Sequence, residues 1–238
     1  VSCEHSMQRI ENDKVALLLP MFHSFMVTVG ILLPVKIGGS IVLIKSLHPP
    51  KNILNEIIAT QAPVMPAVPQ FYRAFAAAPL PELPLRLCIS GAAPLPMEVL
   101  KRFNQQSNLS LIESYGLSEA SPVVTLNPIV GPWKVGSIGL PVHDVCVAIM
   151  DSQGNEMPVG QTGELWVRGG NVMLGYWNRP KATAETLQDG WLKTGDMGHA
   201  DEEGYLYVTD RKKDMLLVNG INVYPREIEE LIYQFKGV

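Results

Sequence analysis

Short apolar runs alternate with helical periodicity through the first half of the chain. Residues 15–20, 40–44, 85–90 and 109–113 read as buried strands. Between them, Ile53, Leu54, Ile57 and Ile58 recur at helical spacing within 52–60, and a further helix is predicted from about 96 to 106. Strands alternating with helices predict βα units and a parallel sheet over residues 1–130, an α/β fold. From about residue 131 the pattern becomes one of hairpins. Residues 145–150 and 163–168 flank the turn Asp151-Ser152-Gln153-Gly154, and residues 191–200 and 205–209 flank Asp201-Glu202-Glu203-Gly204. Residues 131–209 are therefore expected to form a small antiparallel, barrel-like β subdomain. A third piece, 210–238, closes on a helix. Pro225 suits its first position, Glu227 its first turn, and Ile228, Leu231, Ile232 and Phe235 share one face. That apolar stripe asks for more partner surface than the remaining residues supply, so the chain is expected to be a piece of a longer protein.

Composition narrows what such a fold could do. Of 238 residues, 47% are hydrophobic and 18% charged, which supplies a core and argues against disorder. The net charge of −4 offers no cationic surface for a phosphate backbone, so no nucleic-acid partner is expected. The longest apolar run, 26–35, is broken by Gly30 and Pro34 and is too short to span a bilayer. No transmembrane segment is expected, with peripheral membrane contact left open. Glu4, Gln8, Arg9 and Glu11 interrupt the start in a way no signal peptide tolerates. Cys3, Cys88 and Cys146 form neither a metal spacing nor a disulfide framework, which suits a reducing, cytoplasmic compartment.

Four loops fall where nucleotide chemistry would need them. Ser90-Gly91-Ala92-Ala93-Pro94-Leu95 lies between a strand and a helix, where small residues admit a planar ring and helix N–H groups favour anions. Such a turn is also an ordinary way to pack a helix on a sheet. Glu113-Ser114-Tyr115-Gly116-Leu117-Ser118-Glu119 offers an aromatic face, a hydroxyl and a hard carboxylate suited to Mg²⁺. The same residues read equally as a helix capped by Ser118. Thr194-Gly195-Asp196, within a hairpin, offers a carboxylate to ribose hydroxyls or a plain turn. Asp210-Arg211-Lys212-Lys213-Asp214 offers a phosphate or ribose contact or a solvated charged turn.

Read in order, these loops resemble the adenylate-forming superfamily of acyl-CoA synthetases, peptide-synthetase adenylation domains and beetle luciferases. The resemblance is carried by Pro20-Met21-Phe22-His23, the loop from Ser90, Tyr115-Gly116-Leu117-Ser118-Glu119 and Gly163-Glu164-Leu165-Trp166-Val167-Arg168-Gly169. It continues through Gly175-Tyr176-Trp177-Asn178, Gly190-Trp191-Leu192-Lys193-Thr194-Gly195-Asp196, Asp210-Arg211-Lys212-Lys213-Asp214 and the run from Asn219 to Glu229. Fatty-acyl-CoA ligases are the nearest in character.

The resemblance implies two half-reactions. A carboxylate attacks the ATP α-phosphate, giving acyl-AMP and pyrophosphate, and coenzyme A then takes the acyl group and releases AMP. It implies that Gly91, Ala92 and Ala93 flank adenine, that Tyr115, followed by Gly116, stacks on it, and that Ser118 meets the α-phosphate. It makes Glu119 the Mg²⁺ ligand and gives the ribose to Asp196 and Arg211. His23 would lie near the carboxylate, or serve only as a capping or core histidine. Lys213 would mark the hinge on which a C-terminal domain turns, and 220–225 the loop that closes for thioester formation. Apolar wall candidates are His23, Phe25, Met26, Gly30, Val64-Met65-Pro66-Ala67-Val68-Pro69, Gly91 and Val123-Val124. With no Asp among 25–33 to meet an ammonium, a fatty or other apolar acid is favoured over an amino acid. An adenylation enzyme loading a carrier protein and a non-catalytic nucleotide-binding relative are the alternatives.

The superfamily's Ser/Thr/Gly-rich phosphate loop ending in Lys-Gly does not occur in these 238 residues. Its late catalytic lysine is expected to fall outside them. Assayed with acid, ATP and CoA, the 238-residue chain is therefore expected to give little or no acyl-CoA; measurable turnover would overturn that expectation.

Overall fold

The structure, a computed structural model, describes residues 2–6, 13–107, 109–218, 221–233 and 235. A short helix α1 (Ser2–Ser6) precedes strand β1 (Lys14–Leu17). A π-helical segment, Met26–Leu32, runs into α2 (Leu33–Lys36) and returns the chain to β2 (Ser40–Leu43). Then follow α3 (Lys51–Thr60), β3 (Val64–Ala67), α4 (Pro69–Phe75), β4 (Leu87–Ser90), α5 (Met97–Gln106) and β5 (Ser110–Gly116). With β6 (Val123–Leu126) and β7 (Leu140–Pro141), the strands form one sheet in the order β2-β1-β3-β4-β5-β6-β7. Pairing is parallel from β2 to β5 and antiparallel from β5 to β7.

The period of two along a strand explains why both faces are covered. Val15, Val64, Leu87 and Ile112 turn to one side, where Phe25, Val29 and Leu33 pack on them. Ala16, Met65, Cys88 and Leu111 turn to the other, against Ile53, Ile57, Tyr72, Val99 and Phe103 of α3, α4 and α5. Strands buried on both faces carry continuous apolar runs rather than alternation, which is the pattern the sequence shows.

The second sheet is antiparallel. Strands β8 (Val145–Met150) and β9 (Gly163–Gly169) form one hairpin. After α6 (Pro180–Thr186), strands β10 (Leu187–Gln188), β11 (Trp191–Ala200) and β12 (Leu206–Arg211) follow, with β9 on one edge of β11 and β10 and β12 sharing the other. The amide of Leu206 donates to Gly139 O at 3.0 Å and the amide of Ile138 to Leu206 O at 2.8 Å, which ties β12 to the end of the large sheet. The two-stranded ribbon of β13 (Leu216–Val218) and β14 (Ile221–Val223) leads to α7 (Pro225–Ile232). Ile228, Leu231, Ile232 and Phe235 of the expected stripe are all exposed. Residue 220 of the expected closing loop lies outside the described residues.

Two expectations need correction. Val64–Ala67, read as part of an acyl pocket wall, is a fully buried strand between β1 and β4. Pro66 disguised it, because proline in a strand run argues against an interior position. It is accommodated because β1 pairs with β3 only at Val15 and Val64. Met26 and Gly30, also read as wall, are sealed into the core, and a methyl at Gly30 would collide with Met26 and Leu17.

The fully buried Tyr72 makes a test of the helical layer. Its hydroxyl donates to Met65 O at 2.7 Å and lies 3.2 Å from Ile89 O, joining α4 to β3 and β4. Tyr72→Phe is expected to lower unfolding free energy by about 1–2 kcal/mol in a denaturant titration, by leaving strand carbonyls short of a donor.

Candidate functional site

Strand β5 carries the site across from one sheet to the other. Ser110–Glu113 pair parallel with β4, whereas Ser114, Tyr115 and Gly116 pair antiparallel with Leu126, Thr125 and Val123 of β6. Tyr115 and Gly116 are therefore strand residues, not the loop expected from sequence. Beyond them the chain folds back at once, with the amide of Leu117 donating to Pro122 O at 2.9 Å. Only glycine fits at 116, since a Cβ there would lie 1.9 Å from that same carbonyl oxygen.

The extension delivers the Tyr115 hydroxyl to Asp196, donating to Oδ2 at 2.6 Å. Arg211, directly opposite Asp196 in the β11–β12 register, places Nε 3.2 Å from Oδ1. The Asp196 side chain is only 8% exposed. Burial raises its pKa, against the lowering effects of the Tyr115 hydrogen bond and the Arg211 charge. Burial and the neighbouring carboxylate keep the Tyr115 phenol protonated. Thr194-Gly195-Asp196 is not a turn. It lies inside β11, where the register with β9 shifts between Lys193 and Met197. There the Gly195 amide donates to Glu164 Oε1 at 3.0 Å, while Lys212 Nζ holds the other oxygen at 2.9 Å.

Below Gly116, Ser118–Ala120 forms a single 3₁₀ turn. Leu117 occupies the cap position and no side chain caps the turn, so Ser118 is not the N-cap. Its hydroxyl instead lies 3.0 Å from that of Ser24. Glu119 Oε1 accepts the hydroxyl of Tyr176 at 2.8 Å. His23 is exposed, and its Nδ1 accepts the amide of Phe25 at 3.3 Å, a local capping role.

The loop after β4 packs closely. Gly91 is buried against the Phe25 ring, and Ala92 and Ala93 are exposed. Ala92 holds φ +66°, a left-handed conformation uncommon outside glycine. Under the loop lies Glu113, 8% exposed, whose Oε1 accepts the amide of Leu95 at 3.3 Å. Burial is the main cause that lifts its carboxyl from 4.5 to about 7, with Arg226 opposing and Glu230 adding to the rise.

These elements enclose two adjoining cavities that share Ala92, Ser114, Tyr115, Gly116 and Arg211. One, of about 250 Å³, reaches His23, Ser24, Phe25, Gly91, Ser118 and Glu119. The other, of about 480 Å³, reaches Ala93, Glu113, Asp196 and Val208 and is walled by Arg226, Glu230 and Tyr233 at its far side. Lys213 joins neither. It sits in the exposed turn after β12, beside a separate hollow with Thr194, Gly195 and Lys212. Sequence reasoning missed Ser24, Glu113 and the role of Tyr176. Ser24 adjoins a quoted motif and Glu113 and Tyr176 lie inside quoted ones, but nothing local says what their side chains touch.

The sequence profile of AMP-binding enzymes matches residues 1–177. The chain belongs to the AMP-binding enzyme family. A long-chain-fatty-acid–CoA ligase of Yersinia pestis is 42% identical over 224 residues, covering 92% of this chain and 40% of the relative. The crystal structure of ATP-bound MatB from Rhodopseudomonas palustris superimposes with a TM-score of 0.92 at 31% identity, over 100% of this chain and 48% of that one. The Bacillus subtilis o-succinylbenzoate coenzyme A synthetase in complex with ATP and magnesium gives a TM-score of 0.87 at 28% identity, covering 97% and 48%. The chain thus spans about two-fifths of the length of the curated relatives it matches. Among the described residues of this family member, no helix is long and apolar enough to cross a membrane.

The buried acid beneath the loop after β4 gives a pH test. Because Glu113 titrates near 7 when folded and near 4.5 when unfolded, the native chain holds an extra proton between those values. Stability contributed by the protonated form is complete below 4.5 and is lost as pH rises toward 7, by up to roughly 3 kcal/mol. Glu113→Gln is expected to flatten that part of the stability profile, followed by urea unfolding at steps from pH 4.5 to 7.5; an unaltered slope would refute the assignment.

Proposed function

We propose that this chain carries the adenylate-binding face of an AMP-forming acid–CoA ligase that activates fatty or other apolar carboxylic acids. The observation that carries the reading is the Tyr115–Asp196–Arg211 linkage across the joined cavities, with Ser118 and Glu119 at the opposite end. A planar base, a pair of ribose hydroxyls and a phosphate need those groups in that order. The larger cavity is within the range of about 300–1,000 Å³ usual for ligand clefts.

In this reading the small residues Gly91, Ala92 and Ala93 let adenine approach the backbone, and the Tyr115 ring lies against it. Asp196 exchanges its present partners for ribose hydroxyls, with Arg211 beside it. Ser118 donates to the α-phosphate, and His23 lines the end where the carboxylate enters. The acid attacks the α-phosphorus and expels pyrophosphate; the CoA thiolate then attacks the acyl carbonyl and expels AMP. Glu119 fits a divalent ion that arrives with the nucleotide. It is a single hard carboxylate, and no cluster of three or more His, Cys, Asp or Glu that could hold a metal by itself occurs among the described residues. Mg²⁺ takes one or two carboxylates plus substrate phosphates, and supplies charge neutralisation there. Lys213 is proposed as the hinge, with residues 210–238 opening a C-terminal domain after subdomains 1–130 and 131–209.

Apolar acids are favoured by Phe25 and Val123, and by Glu119 being the sole acid among the described residues lining the smaller cavity. The 42% identity to a ligase named for long-chain fatty acids supports the same choice. The test is ATP–pyrophosphate exchange by the intact protein across acetate, octanoate, palmitate, benzoate and amino acids, followed by CoA. Exchange with octanoate or palmitate, and acyl-CoA on adding CoA, is expected. Exchange without CoA turnover would replace CoA by a carrier-protein acceptor, and no exchange with any acid would overturn the reading.

A further inference from the structure

We propose that Tyr176 is the positioning residue for Glu119: its phenol orients that carboxylate toward a divalent cation without cancelling its charge. The inference rests on the reading of Glu119 as the magnesium ligand. Glu119 sits half-buried on a single 3₁₀ turn, and its long side chain has freedom that must be removed before it can present an oxygen in one direction. Among the described residues, the Tyr176 hydroxyl is the one side-chain partner recorded for it, at 2.8 Å to Oε1. No described residue bonds Oε2. A phenol can only donate to an ionised carboxylate, so the bond has one direction and occupies one oxygen. Lysine or arginine would hold the group as well but would neutralise the charge a cation needs.

Tyr176 is itself held in place. Between β9 and α6, the chain straps the Ser118 turn from outside. Asn171 Nδ2 donates to Ala120 O at 2.9 Å and to Val123 O at 3.1 Å, and the amide of Met173 donates to the Glu119 carbonyl at 2.8 Å. The amide of Tyr176 donates to Thr183 Oγ1 at 2.9 Å, and that hydroxyl donates to Arg179 O at 3.0 Å at the start of α6. The strap thus fixes backbone and side chain of residue 119 together, and among its described residues the phenol is the one hydrogen-bond donor to the carboxylate. This places a residue from the antiparallel region in control of a group presented by the large sheet.

The test is calorimetric titration of ATP into the intact protein with and without MgCl₂, for wild type, Tyr176→Phe and Glu119→Gln, with thermal unfolding of each ligand-free protein. Phenylalanine keeps the ring and removes only the donor. Tyr176→Phe is expected to reduce the Mg²⁺-dependent gain in ATP affinity by about tenfold, the effect of one hydrogen bond to a charged group. Its metal-free ATP affinity and unfolding midpoint are expected to match wild type. Glu119→Gln is expected to remove the gain altogether. If Tyr176→Phe keeps the full gain while Glu119→Gln loses it, the positioning role is overturned and the metal-ligand reading stands. If both keep it, the reading of Glu119 fails as well. Equal weakening of ATP with and without metal in Tyr176→Phe would make Tyr176 a structural residue and also overturn the inference.

Discussion

Strand β5 satisfies two pairing schemes along one length, and the site depends on that change. Its first four residues complete the parallel sheet against β4; its last three leave that ladder and pair antiparallel with β6. A strand that ended at Glu113 would leave Tyr115 in a solvent loop with no fixed position. Because the backbone groups of Ser114–Gly116 are taken up by β6, the strand projects past the ends of its parallel neighbours and reaches the second sheet. Close packing of Gly116 on Pro122 then reverses the chain at once, and Ser118 and Glu119 line the same cavity as Tyr115.

The chemistry of the cleft follows from what happens to charge at that crossing. Asp196 and Glu113 are both withdrawn from water, but they are compensated differently. Asp196 has a hydroxyl on one oxygen and a guanidinium on the other, so its resting state is satisfied and a ligand must replace partners rather than fill a void. The Glu113 carboxylate has a backbone amide alone as its hydrogen-bond partner within the described residues, and burial lifts its pKa to about 7. Arg226 then ties the last helix to the cleft: its amide donates to Asp210 Oδ2 at 3.0 Å and its guanidinium to Val208 O at 2.7 Å. The helix that walls the larger cavity is thus fastened to the strand that carries Arg211.

Much of this was legible in advance, and the gaps have physical causes. The helices of 52–60 and 96–106 were visible because amphipathic spacing is a local property, and they appear as Lys51–Thr60 and Met97–Gln106. Both hairpins were visible because turns with Asp at the first position and Gly at the fourth mark them. Strand β3 was hidden by Pro66, and the end of β5 by the Tyr-Gly pair, which reads as a turn unless the partner strand is known. Most of the nucleotide-site candidates converge on the two cavities, and Lys213 does not. Ser24, Glu113 and Tyr176 acquired meaning only through partners 94, 18 and 57 residues away in sequence.

The sequence by itself determined that strand–helix units are followed by antiparallel hairpins, and the kinds of group that meet at the cleft, because periodicity, turn chemistry and residue type are properties of neighbours along the chain. Tertiary structure alone decided which oxygen of Asp196 meets Tyr115, that Ser118 caps nothing, that Thr194-Gly195-Asp196 lies within a strand, and that Tyr176 grips Glu119. Those depend on register and on contacts between distant segments, where a shift of one residue reverses every side chain and no local pattern records the partner.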